Sequence, residues 1–249
     1  MIFLTSKEHP QYSEVITCAP SSQHSSDFKV VISPSTPKEH HSEGTYVGRG
    51  QSGACQMGPE FPPVATHPRI KSLVAINAEQ YSGSLACGMC FRVLGTGVGT
   101  GSDPIKGDFY VFVNDICPEC KEGDIDLAEE GDGSWEVEIQ AVQCPVGNTK
   151  IEYKFQGSNA WYIKLQVRNA RLPVNSILVD RDGRPEPMKH TSDGFWELSD
   201  GLIELPIKLE MTSINGESIR DIITGIENDV VIQGENGVQF NRDNRLPHA

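Results

Sequence analysis

The chain has 249 residues, 37% of them hydrophobic, and a mean hydropathy of −0.34, values typical of a globular protein with one or two domains. No run of 18 apolar residues occurs, so we expect no membrane span. The formal net charge of −13 argues against nucleic acid, whose affinity comes largely from Lys and Arg, and against an acidic polysaccharide. A neutral polymer suits this charge better, although acidity also serves plain solubility.

The first 43 residues are rich in Ser, Pro and His and have weak hydrophobic periodicity. We therefore expect them to be mostly disordered, with a short strand as an alternative for residues 28–32. Cys18 in this segment has no obvious partner.

From Thr45 onward the sequence is typical of short β-strands, and strong helix signals are scarce. The strands predicted for a first domain, residues 44–156, are Lys71–Ile76, Cys90–Leu94, Phe109–Val113, Asp124–Leu127, Trp135–Val142 and Ile151–Phe155. The polar stretch 156–159 marks the predicted domain boundary.

A second domain, residues 157–240, shows strands at the spacing of a β-sandwich, followed by a tail at 241–249. The predicted strands are Trp161–Asn169, Val174–Asp180, Phe195–Leu198, Ile203–Thr212, Ser218–Ile226 and Asp229–Gln233. Asp182-Gly183 and Asn215-Gly216 predict hairpin turns. Because the linker is only a few residues long, the two domains should pack as one unit.

Six of the seven cysteines fall in the first domain and none in the second. They are Cys55, Cys87, Cys90, Cys117, Cys120 and Cys144. Two Cys-x-x-Cys pairs, 87–90 and 117–120, also suit a zinc site, but 26 residues separate them, against about 15–20 in usual zinc spacing. We favour three disulfides and no metal, with the pairing left open.

Two carboxylates in the first domain stand out. Asp126 lies between Ile125 and Leu127, so alternation directs it away from the side that buries its neighbours. Asp115 follows the strand at 109–113. Spacing alone favours an ordinary interpretation, in which Asp115 caps a turn and Asp126 is one of seven acids in 124–138 on a solvated face.

Four stretches, taken in order, resemble an expansin. They are GTYVGRGQSGAC from Gly44, YSGSLACGMCFRV from Tyr81, DICPECKEGDIDL from Asp115 and WYIKLQVRN from Trp161. The resemblance runs from about Gly44 to Val238. It implies an all-β fold, a six-stranded double-psi β-barrel followed by an Ig-like β-sandwich that binds wall polysaccharide such as cellulose or a glucan.

The resemblance also implies roles for individual residues. Asp115 matches the Asp of the family's V-x-D-x-x-P motif, and Asp126 that of its G-x-[LI]-D-L motif, which aligns with the catalytic acid of related inverting glucanases. Thr45 and Tyr46 match a strand that lines the same groove. Val47 stands where some bacterial members have threonine, and this departure weakens any hydrogen-bond network at that position.

Inverting hydrolysis needs a second carboxylate as base. The related glucanases place it just after the first strand, where Gly48-Arg49-Gly50 has no Asp. We therefore expect non-hydrolytic loosening of wall polysaccharide, without a cofactor. The alternatives are weak endoglucanase activity with Asp115 as base, a lytic transglycosylase that uses Asp126 as acid, and a plain carbohydrate-binding protein.

In the second domain the resemblance implies an aromatic surface at Trp161 and Tyr162. Strict alternation turns Trp161 toward the core and Tyr162 outward, whereas a bulge at the strand start would expose both. The family's third aromatic falls near Ser192, where nothing aromatic is in register. Phe195 and Trp196 are the candidates to replace it; alternation turns one of them inward and the other outward, and we favour Trp196 as the outward-facing one.

By resemblance we expect a secreted, extracellular monomer with no nucleic-acid or membrane partner. The N-terminal MIFLTSKEHPQYSEV nevertheless lacks the basic region and the apolar core of a signal peptide. We interpret this as a truncated or misassigned start, with unconventional export as the alternative.

Overall fold

The structure, a computed structural model, describes residues 42–48 and 53–249 and the backbone of two strands before them. These strands, β1 (Val15–Cys18) and β2 (Val30–Ser33), pair antiparallel, and β2 overlaps the strand considered at 28–32. The disorder predicted for the first 43 residues is wrong for these two strands and for residues 42–43, which are in a strand; for the other residues of this segment the prediction lies outside the described residues.

Six strands close into a barrel, as the resemblance implied. They are β3 (Ser42–Tyr46), β4 (Ile70–Asn77), β5 (Cys90–Thr100), β6 (Lys106–Cys117), β7 (Ile125–Leu127) and β8 (Ser134–Val142). The order around the barrel is β3-β7-β4-β6-β5-β8, with β3–β7 and β4–β6 parallel and the other pairs antiparallel. The continuous apolar run in β6 is explained by the burial of residues 111–113 in the barrel core.

The helices of this part of the chain are short. One α-helix, α1 (Ala78–Tyr81), and two 3-10 turns, Pro63–Thr66 and Ser82–Ser84, connect strands of the barrel. The Asn77 side chain caps α1 by accepting a hydrogen bond from the backbone N–H of Gln80 at 2.9 Å. Across the described residues, no helix has the length and apolar character needed to cross a membrane.

Nine further strands form two antiparallel sheets packed as a sandwich. They are β9 (Glu152–Phe155), β10 (Ile163–Arg168), β11 (Val174–Arg181), β12 (Arg184–Pro187), β13 (Lys189–His190), β14 (Trp196–Leu198), β15 (Ile207–Ser213), β16 (Ser218–Ile223) and β17 (Val231–Gln233). One sheet has the order β13-β14-β10-β9-β17 and the other β12-β11-β15-β16. Asp182 and Gly183 form the predicted two-residue hairpin, with φ of 53° and 77°.

The predicted domain boundary is too late by one strand. Residues 151–155 were assigned to the first domain, but β9 pairs with β10 and β17 and belongs to the sandwich. The change of sheet therefore falls between Val142 and Glu152, ahead of the polar stretch at 156–159. Alternation identified the strand correctly but carries no information about its partner.

Hydrogen bonds hold the barrel and the sandwich together. On β10, Gln166 donates from its side-chain amide to the carbonyl of Cys55 at 2.8 Å, and Arg168 donates to the carbonyls of Met57 and Glu60. Gln166 and Arg168 are both buried. The outer face of β10 therefore forms the junction with the barrel at the C-terminal end of the strand.

The six cysteines of the first domain form three disulfides, as favoured from the sequence. The pairs are Cys55–Cys87, Cys90–Cys144 and Cys117–Cys120. The alternative of a zinc site fails, because each Cys-x-x-Cys sulfur is bonded to another sulfur. Since a disulfide between Cys117 and Cys120 closes a very short loop, it fixes the turn that precedes Asp126 in the chain.

Candidate functional site

Four strands carry the polar residues of the barrel in one row. Ala75 on β4 pairs with Asp115 on β6 and with Asp126 on β7, and Asp126 in turn pairs with Thr45 on β3. The backbones of Asp115 and Asp126 are thus two strand spacings apart, about 10 Å. The structure brings Thr45, Asp126 and Asp115 into one line, with a small side chain between the two carboxylates.

Asp126 is a half-buried carboxyl in an apolar strand. Its neighbours Ile125 and Leu127 are fully buried in the barrel core, so the alternation predicted for this strand is confirmed. Burial, followed by the negative charges of Glu119 and Asp124, raises the pKa of Asp126. Asp126 therefore keeps its proton to a higher pH than an ordinary aspartate does.

The Cys117–Cys120 disulfide lies against Asp126. The Sγ atom of Cys120 is 3.8 Å from Oδ2 of Asp126, and a disulfide sulfur has no proton to donate. In the described part of the chain, no N–H or O–H group donates to this carboxylate. The absence of donors in these residues is consistent with the raised pKa, since nothing there stabilises the charged form.

Asp124 has a different role from Asp126. Its carboxylate accepts hydrogen bonds from the backbone N–H groups of Glu43 at 2.8 Å and Lys121 at 2.9 Å. The side chain of Asn77 donates to its carbonyl at 3.4 Å. These bonds fix the loop before β7 and hence the position of Asp126.

Asp115 is bound to the backbone of a neighbouring loop. Its Oδ1 atom accepts from the N–H groups of Ala54 at 2.7 Å and Ile116 at 2.9 Å. The loop comes so close that a Cβ on Gly53 would lie 2.2 Å from the carbonyl oxygen of Asn114. One carboxylate oxygen of Asp115 is therefore committed to positioning the loop that begins at Gly53.

Tyr46 lies on the other face of β3 from Thr45. A Cβ on Gly44, two residues earlier, would meet Ile105 in the barrel core, and alternation puts Tyr46 on that same side. The Tyr46 hydroxyl donates to the carbonyl of Asp103 at 2.7 Å, and its pKa is raised by burial and by nearby acids. Thr45 thus faces Asp126, whereas Tyr46 braces the loop that contains Asp103.

Trp161 is exposed, and the core interpretation given by strict alternation is wrong. The residue precedes β10 in a tight turn, in which the N–H of Asn159 donates to the carbonyl of Tyr162 at 2.8 Å. The Asn159 side chain accepts from the Trp161 N–H at 2.8 Å, and 64% of Trp161 remains accessible. Because the turn interrupts the strand, alternation does not extend back from Ile163 to this tryptophan.

Tyr162 faces outward, as alternation predicted. Its hydroxyl donates to Glu197 at 2.8 Å, and burial, followed by this bond, raises its pKa to about 12. In the described residues, Trp161 and Tyr162 are the aromatic side chains at this end of the sheet that solvent reaches.

Trp196 does not replace the third aromatic, which corrects the expectation from the sequence. It pairs with Leu165, faces the sandwich core and is only 6% exposed, with its ring against His190 at 4.5 Å between centroids. Phe195 is also buried, and the Lys164 ammonium lies over its ring at 4.8 Å from the centroid. Neither ring can form a flat exposed platform.

Sequence reasoning missed a polar cluster at the domain junction. Asp193 accepts hydrogen bonds from Lys164 at 2.6 Å and from Gln56 of the barrel at 3.0 Å. Gln156 donates to Gln56 at 3.0 Å. Alternation places Lys164 on the outer face, but no sequence signal joins it to residues of another domain.

Comparisons with known proteins agree on the fold, although no protein-family model matches the chain. Expansin-YoaJ of Bacillus subtilis (strain 168) is 28% identical over 197 residues, which cover 74% of this chain and 78% of that protein. The apo crystal structure of Clavibacter michiganensis expansin is 22% identical, with a TM-score of 0.67 over 82% of this chain and 98% of that chain. A mutant of that expansin in complex with cellohexaose is 23% identical, with a TM-score of 0.66.

Proposed function

We propose that this chain, an expansin homologue with the expansin fold, binds a neutral wall polysaccharide such as cellulose or another glucan and loosens contacts between its chains. The loosening involves no net cleavage. The observation that carries this proposal is the contrast between the two carboxylates of the barrel row. Asp126 has a raised pKa and no N–H or O–H donor among the described residues, whereas Asp115 holds the backbone of Ala54.

Asp126 supplies the chemistry for competing with hydrogen bonds between polymer chains. Its raised pKa keeps the carboxyl protonated to a higher pH than that of an ordinary aspartate, and the protonated form both donates to and accepts from sugar hydroxyls. An inverting hydrolase would need, in addition, a carboxylate free to activate water. The engagement of Asp115 with the loop at Ala54 argues against that second role.

The sandwich supplies an aromatic binding surface for the polymer. The exposed ring of Trp161 stacks on the apolar face of a sugar ring with little loss of entropy, because the turn at Asn159 already orders its backbone. The complex of the Clavibacter expansin with cellohexaose supports a glucan ligand for this homologue.

We also propose where the protein acts. Three disulfides suit an oxidising compartment outside the cell, and the relatives are expansins. We place the protein at an extracellular wall as a monomer, with polysaccharide as its partner and neither nucleic acid nor membrane.

The test is the extension of heat-inactivated plant wall strips under constant load at acidic pH, with reducing sugar measured in the same bath. Wild type should extend the strips without releasing sugar, and Asp126→Asn should lose most of that extension. Glu122→Gln, the same kind of change on an exposed neighbouring loop residue, is the matched control and should behave as wild type. Steady sugar release that is lost in Asp126→Asn would instead establish a glycosidase, and extension by Asp126→Asn equal to wild type would refute the mechanism.

A further inference from the structure

The outer face of β10 is exposed and aromatic near the start of the strand and becomes recessed and polar further along. At its start, Trp161 projects from the turn with 64% of its surface accessible. Two residues beyond Tyr162, about 7 Å along the strand, Lys164 is recessed, with 17% of its side chain accessible, and its partner Asp193 has 27%. A flat surface that rests on Trp161 would not reach this recess.

The recess lies between the two parts of the proposed polysaccharide surface. Gln56 bonds to Asp193 and lies two residues from Ala54, whose N–H group bonds to Asp115. The buried Tyr81 hydroxyl lies close enough to both Asp115 and Asp193 to feel their charges. Burial raises its pKa to about 12, and these two charges add to the shift. The polar cluster therefore connects the barrel carboxylates with the aromatic end of the sandwich.

The cluster keeps hydrogen-bonding capacity for a ligand. The Lys164 ammonium carries three N–H groups, and within the described residues one is used by Asp193. The Gln56 amide donates one bond to Asp193 and accepts one from Gln156, which leaves one N–H and one lone pair. A sugar hydroxyl at this point can accept from Lys164 or Gln56 and donate to Asp193.

We propose that Gln56, Lys164 and Asp193 form a polar subsite for one sugar of a single, flexible glucan chain that runs from Trp161 to the barrel row. This inference rests on the proposed function and adds a substrate preference. The preference is for separate or amorphous glucan chains over the flat face of a crystal. A single chain bends into the recess, whereas a crystal face contacts only the projecting aromatic surface.

The test measures cellohexaose affinity by isothermal titration calorimetry and adsorption to cellulose microcrystals by depletion, both with the full chain. Asp193→Asn and Gln56→Ala should each lower the ratio of cellohexaose affinity to microcrystal affinity by about fivefold or more, the loss expected for one or two hydrogen bonds. Asp180→Asn is the matched control. Asp180 also lies near a lysine, with its carboxylate 4.0 Å from the Lys208 ammonium, but both residues belong to the four-stranded sheet, away from the subsite. It should leave the ratio unchanged.

An unchanged ratio in both variants, or an equal loss for both ligands, overturns the subsite while wild-type binding keeps the proposed function. If wild type binds neither ligand, the proposed function fails and the subsite fails with it. Melting temperatures are measured for each variant. If Asp193→Asn is destabilised, Gln56→Ala decides the outcome.

Discussion

The carboxylate of Asp115 accepts a hydrogen bond from the backbone N–H of Ala54 at 2.7 Å and so fixes the barrel loop that contacts the sandwich. One residue further on, Cys55 is held through its N–H to the carbonyl of Asn114 at 3.1 Å and through its disulfide to Cys87. Gln56 then reaches Asp193. One aspartate of the barrel row is thus a support for the domain junction, and the proposed function assigns the ligand to the other, Asp126.

Asp126→Asn should raise the free energy of unfolding at pH 7 and leave it nearly unchanged below about pH 3. Below the ordinary range for aspartate, Asp126 is protonated in both the folded and the unfolded chain, so its burial carries no penalty. As pH rises, the unfolded chain loses this proton first because the folded-state pKa is raised, and the folded state loses stability. Asparagine has no charge to bury, and urea unfolding at several pH values measures the difference.

Equal stability of the two proteins at every pH would show that burial does not disfavour the Asp126 anion. Glu122→Gln, on the exposed loop, serves as the control for a lost negative charge.

Trp161→Ala and Trp196→Ala should separate binding from folding. Trp161 is exposed, so its truncation should weaken adsorption to cellulose with little change in melting temperature. Trp196 is buried in the sandwich core, so its truncation should cost about 3–5 kcal/mol of stability. Depletion assays and thermal melts measure both variants, and a large stability loss in Trp161→Ala would contradict the exposed turn.

Removal of the Cys117–Cys120 disulfide should affect the site more than the stability. Its loop is very short, with a sequence separation of 3 against 54 for Cys90–Cys144, so the chain-entropy account gives a contribution of about 2 kcal/mol against about 4. A Cys117→Ser, Cys120→Ser double variant places hydroxyl donors near Asp126, which should lower its pKa.

The pH profile of wall extension should then shift toward lower pH in the serine variant. The matching double alanine variant supplies no donor and should not show that shift. Identical profiles for serine and alanine would mean that the groups at these positions do not reach the carboxylate.

Arg168→Met should uncouple the two domains. The buried guanidinium donates to the carbonyls of Met57 and Glu60, and each carbonyl left without a partner should cost about 1–3 kcal/mol. Calorimetry should show one cooperative unfolding transition for wild type and two for the variant. Arg184→Met on the exposed hairpin is the control, and a single transition at a lower temperature in Arg168→Met would show stabilisation without coupling.

Local patterns predicted most of the strands and, within some of them, which side chains are exposed. The sequence Ile125-Asp126-Leu127 was enough to place Asp126 away from the core, because alternation is a property of the strand itself. The same reasoning failed at Trp161, where a turn bonded through Asn159 ends the alternation before the tryptophan is reached. It also failed at Trp196, whose direction depends on its pairing with Leu165.

Relationships between distant residues could not be predicted. Gln56 and Asp193 are 137 residues apart, and their contact exists only because the barrel and the sandwich pack on each other. The partner of β9 and the pairing of the cysteines are set in the same way by the closed fold. Resemblance to a family predicted the architecture, since that architecture is shared, but not the polar cluster, which depends on this chain's own side chains.

The sandwich contacts the barrel loop largely through main-chain oxygens. The acceptors for Gln166 and Arg168 are the carbonyls of Cys55, Met57 and Glu60, and the Glu60 side chain itself is exposed. The docking therefore depends on the path of the loop rather than on the identity of the residue at position 60. Homologues can vary such exposed positions and still keep the same orientation of barrel and sandwich, provided that the disulfide at Cys55 and the bond to Asp115 preserve that path.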